Sequence, residues 1–228
     1  MALAAVFMGA RLAAATKPEF PATEVFDKVL AAQESLAWTQ ADIVKEERAA
    51  GDKKTVVSKG HLSSKPGGFA RLELTAPSAG LIVSDGRSLW VELPEVQQVM
   101  RYSAAKLKQS GNFFLDLAPT IRHYSLSSYR RLIVPGPGFD PDKVSALELQ
   151  PLKPAQAGFE KLRVWVDQEH WSIVQVRLDY GGTQSTVKFS HRQSVSKEAV
   201  AKDPSLDLDP KLFDYKAPKG FEVFDLDM

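Results

Sequence analysis

The sequence predicts an α+β, β-rich fold in which one wide antiparallel sheet curves around helices as a half-barrel. Three observations carry this reading. Helical periodicity is confined to a few segments, alternation of period two runs through most of the remainder, and short turns rich in Gly, Pro and Asp link the strands. With 228 residues and 44% hydrophobic content the chain can form one large or two small domains, and no change of composition splits off a second. We therefore expect residues 1–22 to be an extension and residues 23–228 to be a single domain.

The N-terminus begins with the apolar run Ala2 to Met8, and Ala13-Ala14-Ala15 precedes Thr16 with the small-residue character of a signal-peptidase site. No basic segment precedes the run and Arg11 interrupts it, which fits the remnant of an export signal or a plain apolar extension. The run is too short to span a bilayer, and a soluble mature protein is expected. Thr23 is a reasonable N-cap, with Glu24 and Asp27 in the first turns, and Phe26, Val29, Leu30, Leu36 and Ala37 fall near helical spacing. This predicts an amphipathic helix over Thr23 to about Leu36.

From Ala37 the pattern changes to period two. Thr39 to Arg48, a turn at Ala49 to Asp52, and Lys54 to Ser63 predict a first hairpin. Lys65-Pro66-Gly67-Gly68 is a second turn, which leads into Phe69 to Leu74. The next hairpin carries Leu81-Ile82-Val83 and Leu89-Trp90-Val91 around Ser84-Asp85-Gly86-Arg87-Ser88. Asp-Gly suits such a turn because glycine tolerates positive φ, so Asp85 is read as turn chemistry and not as a catalytic acid. In its second strand Leu89, Val91 and Leu93 share one face and Trp90 the other. An indole opposite an aliphatic row implies that both faces meet apolar material.

Pro94 ends this meander, although Val96, Val99 and Tyr102 fit an irregular extension. Ser103 to Gln109 and Asn112 to Ala118 have helical character. The second is strongly apolar through Phe113, Phe114, Leu115 and Leu117, and is too short to hold itself in water. It is expected to dock on the meander, either as core or as a mobile lid. Tyr124 to Val134 resumes β character, Pro135 to Pro141 is a loop, and four strands follow: Val144 to Leu152, Lys161 to Asp167, Ser172 to Tyr180 and Thr183 to His191. The tail from Leu206 is polar, with Phe213, Phe221, Val223 and Phe224 as anchors.

Composition excludes several classes of function. The 29 basic and 28 acidic residues nearly balance, which offers nucleic acid no electrostatic footprint. Cysteine is absent, and with it disulfides, thiol catalysis and thiolate metal sites. His61, His123, His170 and His191 are scattered without metal-ligand spacing, and no nucleophile elbow, phosphate loop or dinucleotide fingerprint occurs. Neither an enzyme, a cofactor nor a metal is expected. What remains is apolar surface, which suits either a dry core or a half-barrel left partly empty for an apolar ligand.

Several residues, in a fixed order, resemble the LolA-type periplasmic carriers of outer-membrane lipoproteins. They are an N-terminal helix, a hairpin ending in Lys65-Pro66, then Phe69, then LIVSDGRSLWV from Leu81 to Val91 followed by Pro94. Leu178-Asp179, Gly182, Thr186 and Phe189 resemble the family's penultimate hairpin, and Leu212-Phe213, Pro218 and Gly220-Phe221-Glu222-Val223 its closing segment. The likeness covers about residues 23 to 225. It implies an unclosed, twisted antiparallel β half-barrel with helices covering its concave apolar face. It also implies a monomeric periplasmic carrier that takes acylated lipoproteins from an inner-membrane ABC transporter, shields their acyl chains and passes them to an outer-membrane acceptor. Many such carriers have Arg where Lys65 stands, and that Arg helps hold the lid; Lys65 is the expected lid contact, without the planar fork of Arg.

The expected lipid-binding cavity comprises Phe69, Leu72, Leu74, Ile82, Leu89, Trp90, Val91, Phe113, Phe114 and Leu117. Leu89 and Trp90 lie on opposite faces, so only one lines the cavity, and Trp90 is the preferred choice. Two other readings on the same fold are an envelope sensor that signals to a membrane protein, and a carrier of a different lipid.

Overall fold

The computed structural model describes residues 20–75, 77, 79–103, 124–128, 143–153 and 159–226. The expected helices within 103–118 and the loop at 135–141 fall largely or wholly outside these residues. Helix α1 (Ala22–Ser35) starts earlier than expected: Val25 N–H donates to Pro21 O at 3.0 Å, and Thr23 lies inside the helix and does not cap it. The chain then passes into strand β1 (Leu36–Arg48) with no loop between, so Leu36 belongs to the sheet. The helix buries Val25, Phe26 and Val29, which lie three and four residues apart on one face.

Strands β2 (Val56–Lys65), β3 (Phe69–Leu74), β4 (Gly80–Asp85), β5 (Ser88–Leu93) and β6 (Gln98–Ser103) continue from β1 as an antiparallel meander. A second meander runs through β7 (Tyr124–Ser128), β8 (Val144–Pro151), β9 (Lys161–Asp167), β10 (Ser172–Tyr180) and β11 (Thr183–Ser196). Strand β11 returns to pair with β1, which joins the two halves into one sheet. After the short helix α2 (Lys197–Lys202), β12 (Glu222–Asp225) adds to β6 in parallel. The order is β12-β6-β5-β4-β3-β2-β1-β11-β10-β9-β8-β7, and its end strands do not pair with one another, so the sheet is unclosed.

The turn between β4 and β5 is the one expected. Asp85 Oδ1 accepts from the N–H groups of Arg87 and Ser88 at 2.8 and 2.7 Å, and Gly86 holds φ +80°. A second reason for glycine is visible only in three dimensions. A Cβ at Gly86 would stand 2.6 Å from the carbonyl oxygen of Gly67, in the neighbouring β2–β3 turn.

Cross-strand partners share a face of the sheet, so the registers define an inner side that carries α1 and an outer side. On the inner side, α1 packs over β7 to β10 against Tyr124, Leu147, Leu149, Leu162, Val164, Val166, Ile173 and Val176, all buried. A smaller cluster of Val144, Ala146, Trp165 and Val174 is buried on the outer side. The remaining chain, from Asp203 to Leu226, crosses the outer side of the first meander as a strap.

Candidate functional site

The inner face divides into two parts. Beneath α1 the space is filled: the void among Phe26, Val29, Leu147, Leu149, Val164, Val166 and Ile173 is about 10 Å³, no larger than a water needs. Beyond it lies an aliphatic row. Following the registers from strand to strand, Ala41, Leu62, Leu72, Ile82, Val91 and Met100 are successive partners across β1 to β6. The row is on the α1 side because Ile43 faces Phe189, and Phe189 packs against the α1 cluster. At a strand spacing of about 4.8 Å, the five steps of the row extend roughly 24 Å. Ala41 is buried, whereas the other members of the row are only half-buried.

Of the expected cavity residues, Leu72, Leu74, Ile82, Leu89 and Val91 therefore stand on this inner face. Phe69 and Trp90 stand on the other. Phe69 meets Phe213 edge-on at 5.7 Å between ring centroids, and Trp90 meets Tyr215 at 5.7 Å. The choice between Leu89 and Trp90 is thus reversed, since Leu89 is the one on the α1 side. The reason is that the outer face of this hairpin is also covered, and the strap is what covers it. Phe113, Phe114 and Leu117 lie outside the described residues. Leu62 and Met100 were missed; the alternation that located Leu72, Ile82 and Val91, extended one strand further each way, would have found them.

Lys65 also faces outward. Its Nζ donates to Asp207 Oδ2 at 2.7 Å, so its partner is the strap. This hydrogen bond holds the Asp207 carboxyl below its usual value, against a smaller upward push from burial. Other ties follow the same path: Trp38 Nε1 donates to Leu206 O at 2.7 Å and Tyr215 Oη donates to Glu92 Oε2 at 2.8 Å. Phe213 is 1% exposed, and Val83 beneath the strap is fully buried.

Near the junction of the two inner parts lies a polar seam. Tyr180 Oη donates to Glu47 Oε1 at 2.5 Å, and Lys45 Nζ lies 3.1 Å from Glu47 Oε2. Burial raises the pKa of Glu47, but the hydrogen bonds from Tyr180 and Lys45 outweigh it and leave the carboxyl below its usual value. Burial first, and then Glu47, push the Tyr180 phenol well above the ordinary tyrosine range. No helix among the described residues is long and apolar enough to cross a membrane.

The family model described as "Outer membrane lipoprotein carrier protein LolA" matches residues 35–202. The chain belongs to the LolA family. Among solved structures, an uncharacterised conserved protein of Thermus thermophilus is similar at 12% identity, over 90% of this chain and 98% of that one, with a TM-score of 0.53. A LolA superfamily protein of Nitrosomonas europaea is similar at 17% identity, over 86% and 98% of the two chains, with a TM-score of 0.44. Lipoprotein LppX of Mycobacterium tuberculosis is similar at 12% identity, over 73% and 92%, with a TM-score of 0.44. None of the curated proteins compared with the chain matches it. The LolA match ends within α2, so the Lys65–Asp207 tie and the strap from Asp203 onward lie beyond it.

Proposed function

We propose that this LolA-family protein is a non-enzymatic periplasmic carrier, folded as one domain over residues 23–228, that shields acyl chains on its inner face. The observation that carries this is the half-buried row Leu62, Leu72, Ile82, Val91 and Met100, flanked by Leu74 and Leu89. Each methylene moved from water onto such a surface gains about 0.8 kcal/mol, which makes an aliphatic row of this length a strong attractor for an acyl chain. A row that stays partly open to solvent also releases its ligand more readily than an enclosed cavity. Phe113, Phe114 and Leu117 are proposed to complete the binding surface. Acylated lipoproteins are the proposed cargo, with an inner-membrane ABC transporter as donor and an outer-membrane protein as acceptor.

Native mass spectrometry of the purified protein, with displacement of a fluorescent fatty acid, tests this. Co-purifying lipid and saturable displacement are expected. Ile82→Ser should weaken displacement, whereas Trp90→Ala, on the outer face, should leave it unchanged in any fraction that remains folded. No bound lipid together with no displacement would sink the proposal. Recovery of a membrane signalling protein in place of a transporter would move the reading to an envelope sensor.

A further inference from the structure

The outer face carries a polar pocket of about 200 Å³ over β1, β11 and β10, on the side of the sheet away from α1 and from the acyl row. Its floor is set by register: Gln175 faces Lys188, and Arg177 faces Thr186, which in turn faces Glu46. Arg48 and Gln184 pair at its end, and Thr55 closes the rim from the start of β2.

Two of its atoms are anomalous. Gln175 is 1% exposed, yet its Oε1 has no hydrogen-bond partner, and the buried Arg177 Nε has none either. Buried polar atoms are nearly always paired, so two orphans in one pocket call for a partner that brings its own hydrogen bonds. The partner must satisfy both: Oε1 needs a donor and Nε needs an acceptor. A simple anion serves only the arginine, and a neutral alcohol offers its Nε only a weak acceptor.

The charges narrow the class further. Lys188 and Glu46 neutralise one another at 2.6 Å. Asp179 lies 3.6 Å from Arg177 Nε, but it already takes Arg163 Nη1 at 3.2 Å and Gln184 Nε2 at 3.1 Å. Arg48 is positioned by one bond of 3.3 Å, from its Nη2 to Gln184 Oε1, and a guanidinium has five N–H donors. The pocket is thus lined by two arginines, Arg177 and Arg48, together with the hydroxyl groups of Thr55 and Thr186. We propose that this outer-face pocket binds a small oxyanion that carries a hydroxyl group, with the oxyanion on Arg177 and Arg48 and the hydroxyl donating to Gln175 Oε1. Phosphate monoesters and the glycerol phosphate headgroup of a lipid share that chemistry.

The test titrates the full chain with inorganic phosphate and glycerol 3-phosphate, and with vesicles of phosphatidylglycerol against phosphatidylcholine, reading heat and amide chemical shifts. One saturable site is expected. Arg177→Gln, Arg48→Gln and Gln175→Leu should each weaken it about tenfold or more while leaving fatty-acid displacement on the inner face unchanged. Without ligand, Gln175→Leu should melt higher than the parent, because it removes an orphaned amide, and phosphate should no longer raise its melting temperature. Response to glycerol 3-phosphate alone identifies a free metabolite; response only to phosphatidylglycerol vesicles identifies a headgroup. Non-saturating binding, or binding that all three variants retain, means an adventitious ion only and overturns the proposal.

Discussion

Phe213→Ala should free the C-terminal strap while leaving the sheet folded. Phe213 is 1% exposed and meets Phe69 edge-on at 5.7 Å. Truncating a buried Phe costs about 3–5 kcal/mol, of which the aromatic pair accounts for about 0.5–1.5 kcal/mol. The other ties are weaker: the hydrogen bonds of Trp38 to Leu206 and of Tyr215 to Glu92 are worth about 1 kcal/mol each, and the half-exposed Lys65–Asp207 pair about 0–1 kcal/mol. The loss at Phe213 therefore matches or exceeds these three ties together, leaving the pairing of β12 with β6 as the main remaining hold. Native-state hydrogen exchange reads this directly. Amides of Leu212 to Asp225 should exchange about two to three and a half powers of ten faster, since each 1.4 kcal/mol is tenfold. Amides of Val164 and Val166 in β9 should keep their protection. Parallel loss of protection in β9 would refute the reasoning, because it would make the strap part of one cooperative unit with the sheet.

Three further outcomes follow from the geometry. Gly86→Ala should destabilise by more than about 1 kcal/mol in denaturant titration, since it combines φ +80° with a Cβ 2.6 Å from Gly67 O. Tyr180→Phe removes the donor to a half-buried carboxylate and should cost about 1.5–3 kcal/mol by thermal melting, with the Glu47 carboxyl titrating higher by NMR. The carboxyls of Asp207, Glu47 and Glu148 are held below their ordinary values of 3.8, 4.5 and 4.5, so the stability they contribute is present above those values and is lost as pH falls through the folded-state values. A melting temperature that holds from pH 7 to about pH 5 and declines below about pH 4 is expected from these groups. Asp207→Asn should remove the strap's share of that decline.

Local pattern was enough to place most of the strands, but it left β6 as an irregular extension after Pro94 and β12 inside a polar tail. The alternation in Phe69 to Leu74 and in Ser88 to Leu93 fixes their faces, and Asp85-Gly86 fixes the turn that sets their register. Alternation names two faces without saying which is inner, and that is why Trp90 and Leu89 were exchanged. Which side α1 takes depends on Val25, Phe26 and Val29 finding strands far along the chain, from Tyr124 onward. The strap was equally hidden. Lys65 and Asp207 lie 142 positions apart, and nothing near either residue announces the pairing. Phe213 was visible as an anchor in the tail, but its partner was not. The start of α1 was misplaced because Thr23 has the right chemistry for a cap, while the chain takes Pro21 instead. The orphaned Gln175 amide leaves no trace in sequence at all, since an unsatisfied atom is a property of what surrounds it.

The path of the strap has a mechanical consequence. It is fastened to β1 through Trp38, to the β2–β3 turn through Lys65, to β5 through Trp90 and Glu92, and to β6 by the pairing of β12. It runs on the convex side, so tighter curling of the sheet would stretch it, whereas flattening would let it slacken. A tie of fixed length there acts like a cord laid along the outside of a bend, setting a minimum radius. The strap thus opposes any curling of the sheet over its aliphatic row.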